Sequence, residues 1–219
     1  MLHETRFRAA GRFVVSPLLA VAAVAIFLVP GAAELFTFQR SGVFAGEFWR
    51  IFTGHLTHFT GTHLFWDVGA LLVLGWLAER RSVVRFAATL VGSAVLISLG
   101  VLVLLPQMPE YRGLSGVDSA LFGLVAVTLL REQLQRRARL LVMAIAVVLL
   151  GFGGKIAFEL ITGTAFFARD LEPGVMPVAL AHIVGGVWGA IVAFWPRRVK
   201  EGERSLMGRL ADRWVEAPS

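Results

Sequence analysis

Two short segments carry residue types suited to nucleophilic chemistry. One reads Tyr111-Arg112-Gly113-Leu114-Ser115-Gly116, the other Ala181-His182-Ile183-Val184-Gly185-Gly186-Val187-Trp188-Gly189. A serine hydroxyl becomes an effective nucleophile when a neighbouring base takes its proton, and histidine is the commonest such base. Gly113 and Gly116 beside Ser115 allow close backbone approach while a helix begins at the serine. A helix N-terminus presents free N–H groups and the positive dipole end, which suit a developing oxyanion. His63 and Asp67 stand four apart, hence on one helical face, and are expected to support that pocket. A neutral His63 can donate a hydrogen bond; Asp67 can do so only while it keeps a proton. Asp118 and Ser119, just after Ser115, are candidates to orient His182.

The elements that hold these residues follow from composition. Of 219 residues 57% are hydrophobic and 16% charged, with 17 Phe, 6 Trp and no Cys, against about 45–50% apolar and 25% charged in ordinary soluble domains. The chain therefore reads as an all-α membrane protein. The missing cysteines exclude disulfides, thiolate metal sites and a cysteine nucleophile. The net charge of +6 does not indicate nucleic acid, because the basic residues sit in short clusters between apolar runs.

Crossing the hydrocarbon takes about 20 apolar residues. Six runs qualify as spans: Phe13–Pro30, His55–Ala78, Val83–Leu105, Ser115–Leu130, Ala138–Ile161 and Met176–Trp195. The fourth is short unless Tyr111–Leu114 dips into the membrane, which irregular backbone tolerates only when surrounded by protein. The first run imitates a signal peptide, with Arg6, Arg8 and Arg12 before it and Gly31-Ala32-Ala33 after it, but its length and the five further runs favour a retained helix. Clusters at Arg6 to Arg12, Arg80 to Arg85, Arg131 to Arg139 and Arg197 to Arg213 fall on one side, which predicts cytoplasmic termini. The expected organisation is a membrane domain over residues 1–196 and a basic cytoplasmic tail over 197–219 at the lipid surface.

With that orientation His55, His58, His63, Asp67, Ser115, Asp118, Ser119 and His182 all fall in the outer half of the bilayer. Polar groups there are functional by default. Gly185 and Gly189 form a small-residue face on the sixth span, and Gly116, Ala120 and Gly123 match it on the fourth, so these two spans are expected to pack and to bring Ser115 to His182. A metal site at His55, His58 and His63 is disfavoured, because the 58-to-63 spacing fits one face poorly and no Glu accompanies them in a His-Glu-x-x-His pattern. Lys155 and Glu159, four apart, read as a neutralising pair, and Phe166 and Phe167 as the rings of a lid.

These residues resemble the rhomboid intramembrane serine proteases. Gly113-Leu114-Ser115-Gly116 is similar to the family's Gly-x-Ser-Gly, and Ala181-His182 with Gly185 and Gly189 to its Ala-His-x-x-Gly-x-x-x-Gly. Trp49-Arg50, His58, His63 and Glu79 match further family positions. Tyr111-Arg112, the compact length and Gly46-Glu47-Phe48-Trp49-Arg50 look most like the rhombosortase branch, associated with proteins bearing a Gly-Gly C-terminal sorting tail. The resemblance implies a six-span bundle in a bacterial cytoplasmic membrane with its site open to the outer face. It implies hydrolysis of a peptide bond in or near a substrate's transmembrane segment, with Ser115 as nucleophile, His182 as base, no cofactor, and membrane-anchored proteins in the bilayer as partners. Two positions depart from the family: Asp67 stands where Asn is usual, and Ser119 where many members have Tyr. They leave a second expectation, a catalytically silent relative that binds transmembrane helices. A proton transporter would need polar residues through both membrane halves, and the polar residues named above stop in one.

Overall fold

The computed structural model describes residues 13–167 and 178–196. Arg6, Arg8, Arg12, Arg169, Asp170, Glu172, the start of the expected sixth span and the basic tail lie outside the described residues. The chain is mostly helical. Its helices are α1 (Val15–Leu28), α2 (Ala32–Phe36), α3 (Arg40–Phe44), α4 (Arg50–Thr53), α5 (Gly61–Glu79), α6 (Val83–Leu104), α7 (Ser115–Gln135), α8 (Arg139–Thr162) and α9 (Ala179–Val192). Among the described residues three helices, α5, α6 and α8, are long and apolar enough to cross a membrane. α1 and α9 are apolar but shorter, with 14 residues each.

Two details differ from the sequence expectation. Phe38–Gln39 (β1) pairs antiparallel with Glu110–Tyr111 (β2), so the chain is not purely helical. That pair ties the first loop to the segment that leads into Ser115. The second long helix also starts at Gly61 rather than at His55, because Thr60, in extended conformation, caps it with a hydroxyl that accepts the His63 N–H at 3.1 Å. His55 and His58 therefore precede α5: His55 sits on a 3₁₀ turn, Gly54–Leu56, and His58 just after it.

Long-range side-chain bonds close the helix ends. No side chain at Val14 caps α1; Glu79, buried at the end of α5, accepts the N–H groups of Val14 and Val15 at 2.9 Å, and that of Ser16 at 3.2 Å. Arg40 donates to the carbonyls of Val101, Leu102 and Leu105 at 2.8–3.1 Å and so closes the C-terminus of α6. Arg50, also buried, donates to the carbonyls of Glu34 and Thr37 and pairs with Glu47. Each satisfies backbone groups that hydrocarbon would leave without a partner.

α7 is the hub, its face from Gly116 to Leu124 almost entirely buried. α9 lies against it backbone to backbone: a Cβ on Gly185 would come within 2.0 Å of the Gly116 carbonyl oxygen, and one on Gly189 within 1.8 Å of that of Ala120. α8 is the opposite case, with Glu159 its one buried residue. This contrast gives an internal control. Gly189→Leu is expected to destabilise the protein by about 3 kcal/mol or more, at the upper end for overpacking, because the obstacle is backbone. Gly153→Leu, where a Cβ meets nothing within 4 Å, is expected to stay within about 0.5 kcal/mol. Thermal unfolding followed by Trp fluorescence compares them; equal midpoints would contradict the packing.

Candidate active site

Ser115 is the first residue of α7, and its position is fixed by the segment before it. The Tyr111 and Leu114 side chains are buried, and the Tyr111 hydroxyl donates to the Gly113 carbonyl at 3.3 Å. Gly113 has φ +117° in a conformation that side chains rarely adopt, and a Cβ there would meet the His63 ring at 2.7 Å. Glycine is required at this position by both its backbone and its neighbour.

His182 stands one turn into α9 and is buried. Its Nε2 lies 3.1 Å from Ser115 Oγ. That contact follows from the glycine seam, since α9 at wider spacing would carry the ring away from α7. His182 Nδ1 faces α8, where Glu159 Oε2 lies at 2.9 Å and Lys155 Nζ at 3.1 Å. Lys155 Nζ is itself 2.9 Å from Glu159 Oε2. The other Glu159 oxygen accepts the Phe166 N–H at 3.2 Å.

Asp67 reaches the start of α7 from α5. Its Oδ2 accepts the N–H of Leu114 at 2.8 Å and that of Ser115 at 3.1 Å. The Nε2 atoms of His58 and His63 each lie 3.2 Å from the same oxygen. One carboxylate oxygen therefore occupies the point towards which the free N–H groups of the helix and both rings converge. His63 is held by Phe59, whose ring stacks on it at 6.3 Å, with the Arg112 guanidinium 4.8 Å from the far ring's centre.

The other sequence candidates are placed differently. Ser119 donates its hydroxyl to the Ser115 carbonyl at 2.7 Å, the ordinary back-bond of a helical serine. Asp118 is buried beside them, and neither of its oxygens has a hydrogen-bond partner among the described residues. The group that meets His182 Nδ1 is Glu159, not Asp118 or Ser119. The sequence signal for this was the Lys155 and Glu159 pair, which spacing alone assigns to mutual neutralisation.

His63, Asp67, Ser115, Lys155, Glu159 and His182 line one cavity of about 1250 Å³ between α5, α7, α8 and α9. This exceeds the roughly 300–1,000 Å³ of a small-molecule pocket. Phe167 reaches across its rim to the Trp66 ring on α5, centroids 5.3 Å apart. Among the described residues no group of three or more His, Cys, Asp or Glu side chains is arranged to hold a metal ion.

A family model, the rhomboid domain, matches residues 45–198, well over half of the chain and every residue of this site. The chain belongs to the rhomboid family, whose members are serine intramembrane proteases. No curated protein matches it at a significant level.

Proposed function

We propose that this protein is an intramembrane serine protease that uses Ser115 as nucleophile and His182 as general base. The observation that carries the reading is the 3.1 Å approach of His182 Nε2 to Ser115 Oγ at the wall of a cavity large enough for an unwound peptide. In the reaction His182 takes the Ser115 proton as Oγ bonds to the substrate carbonyl carbon. The imidazolium then gives that proton to the leaving amine as the C–N bond breaks. Water, activated by the same ring, hydrolyses the acyl-enzyme. The Ser115 N–H and His63 are the donors for the oxyanion, with Gly113 and Gly116 letting the backbone close on it. A substrate helix must unwind to offer its carbonyl, so residues of low helix propensity near the cut are favoured.

The same reading takes α1, α5, α6, α7, α8 and α9 as six spans, with both termini cytoplasmic and the cavity open to the outer face of a bacterial inner membrane. The bundle covers residues 1–196 and the basic tail 197–219. Membrane-anchored proteins are the substrates, and Tyr111-Arg112 before the serine motif supports C-terminal sorting tails as in rhombosortases. Phe166 and Phe167 form a lid over the mouth.

One observation favours a second reading. The Asp67 carboxylate already accepts the Ser115 N–H that an oxyanion needs, which suits a silent relative that binds transmembrane helices without cutting them. Labelling of the detergent-solubilised protein by a fluorophosphonate separates the two. The protease is expected to carry the probe on Ser115, located by peptide mass spectrometry. Folded protein that stays unlabelled beside an active rhomboid would support the silent binder.

A further inference from the structure

His182 Nδ1 has two neighbours of opposite character, and they demand different tautomers. A Lys155 ammonium is donor only, so a bond from Nζ to Nδ1 would leave the ring proton on Nε2, facing Ser115 Oγ. A ring in that state cannot take the serine proton. A Glu159 carboxylate is acceptor only; a bond from Nδ1–H to Oε2 leaves the Nε2 lone pair directed at Ser115. The distances favour the second arrangement, with Oε2 off the line of a full Nδ1–H hydrogen bond. Glu159 is nearer to Nδ1 than Lys155 is, at 2.9 against 3.1 Å, and Lys155 has the same Glu159 oxygen as its own partner at 2.9 Å.

We infer that Glu159 is the positioning residue of a Ser115–His182–Glu159 triad, holding His182 in the Nδ1–H tautomer and stabilising the imidazolium that forms during acyl transfer. The inference rests on the proposed function. Three features of the structure carry it. The carboxylate is 4% exposed, so its interaction with the ring is little screened by water. Its Oε1 accepts the Phe166 N–H, and its Oε2 lies 2.9 Å from both Lys155 Nζ and His182 Nδ1, without the alignment of a full hydrogen bond to either. It comes from α8, which otherwise has no buried residue, so burial at this point brings a solitary acid to the ring from a third helix. The chemistry balances without a further reactant: the Ser115 proton moves to Nε2 and later to the leaving amine, while the Nδ1 proton stays on the ring and Glu159 stays ionised. Lys155 offsets the second negative charge that a buried carboxylate adds to a site already holding Asp67.

Glu159→Gln is the direct test, because the amide keeps the size and still accepts the Phe166 N–H. The fluorophosphonate labelling rate is expected to fall about 10⁴-fold, the size of the loss that removing a triad acid causes elsewhere. A structural role would predict something else. If Glu159 only neutralises Lys155, the double variant Glu159→Gln with Lys155→Met would recover the wild-type rate. A triad predicts that the double variant stays as slow as the single one. Nitrogen-15 spectra of labelled histidine, with His182 assigned by the resonance missing in His182→Ala, give a readout independent of activity. The Nδ1–H form is expected in the wild type and its loss in Glu159→Gln. Wild-type protein labelled on Ser115, together with an unchanged Glu159→Gln rate or a recovered double variant, would overturn the triad alone. Wild-type protein that takes no label would overturn the proposed function beneath it.

Discussion

Alanine at Ser115 is expected to abolish fluorophosphonate labelling, and alanine at His182 to slow it by about 10²- to 10⁴-fold, the usual contribution of a positioned general base. The two effects differ in kind. Without Oγ there is no atom to phosphonylate, whereas without the ring the serine remains at the start of α7 beside its helix N-terminus, and only its activation is lost. Ser115→Ala removes one hydroxyl and is expected to leave the unfolding midpoint close to wild type, whereas His182→Ala empties a buried ring site beside Glu159 and Lys155 and is expected to lower it. A folded His182→Ala protein that labels as fast as wild type would remove the histidine from the chemistry. Reporting the labelling rate beside the midpoint keeps misfolding from imitating a catalytic loss.

Asp67→Asn is expected to act in the opposite direction and raise the labelling rate by about 10²-fold, since each oxyanion donor is worth about 10² to 10³ in acyl transfer. In the structure the Ser115 N–H and His63 Nε2 both point at Asp67 Oδ2, and a carboxylate there competes with an oxyanion and repels it. Asparagine keeps a carbonyl for the Leu114 N–H, removes the charge and adds a donor. The same change is expected to lower stability by about 1–2 kcal/mol, because bonds to an ionised acceptor at a helix N-terminus are stronger than those to an amide. Rate and midpoint should thus move in opposite senses. A rate unchanged or reduced in a folded Asp67→Asn protein would mean that the carboxylate assists the reaction or leaves the pocket when substrate enters.

Much of the architecture was readable because membrane helices announce themselves by length and apolar composition. α5, α6 and α8 correspond to three of the six runs read from the sequence, with ends shifted by the Thr60 cap and similar local features. Family membership was readable from short motifs that keep order along the chain, and the rhomboid-domain match covers them. The partners of the charged residues were harder to see. Spacing of four pairs His63 with Asp67 and Lys155 with Glu159, and both contacts are present at about 3 Å. Contacts between helices leave no such period. Arg40 closes the end of α6 more than 60 positions away, and Glu159 on α8 meets His182 on α9. Asp67 shows the limit most clearly: its type was conspicuous, but that its oxygen takes the N–H groups of Leu114 and Ser115 depends on a close approach between helices 47 positions apart.

The Glu79 carboxylate that completes α1 carries an implication for how the protein assembles. α1 is synthesised before α5, so the acceptor for its opening amides arrives some 64 residues later, at the far end of α5. Without Glu79 each of those amides would cost several kcal/mol if drawn unaccompanied into hydrocarbon. The first segment is therefore incomplete as an independent membrane element. Its start is completed only when α5 packs beside it, so α1 and α5 stand as membrane elements through one shared carboxylate.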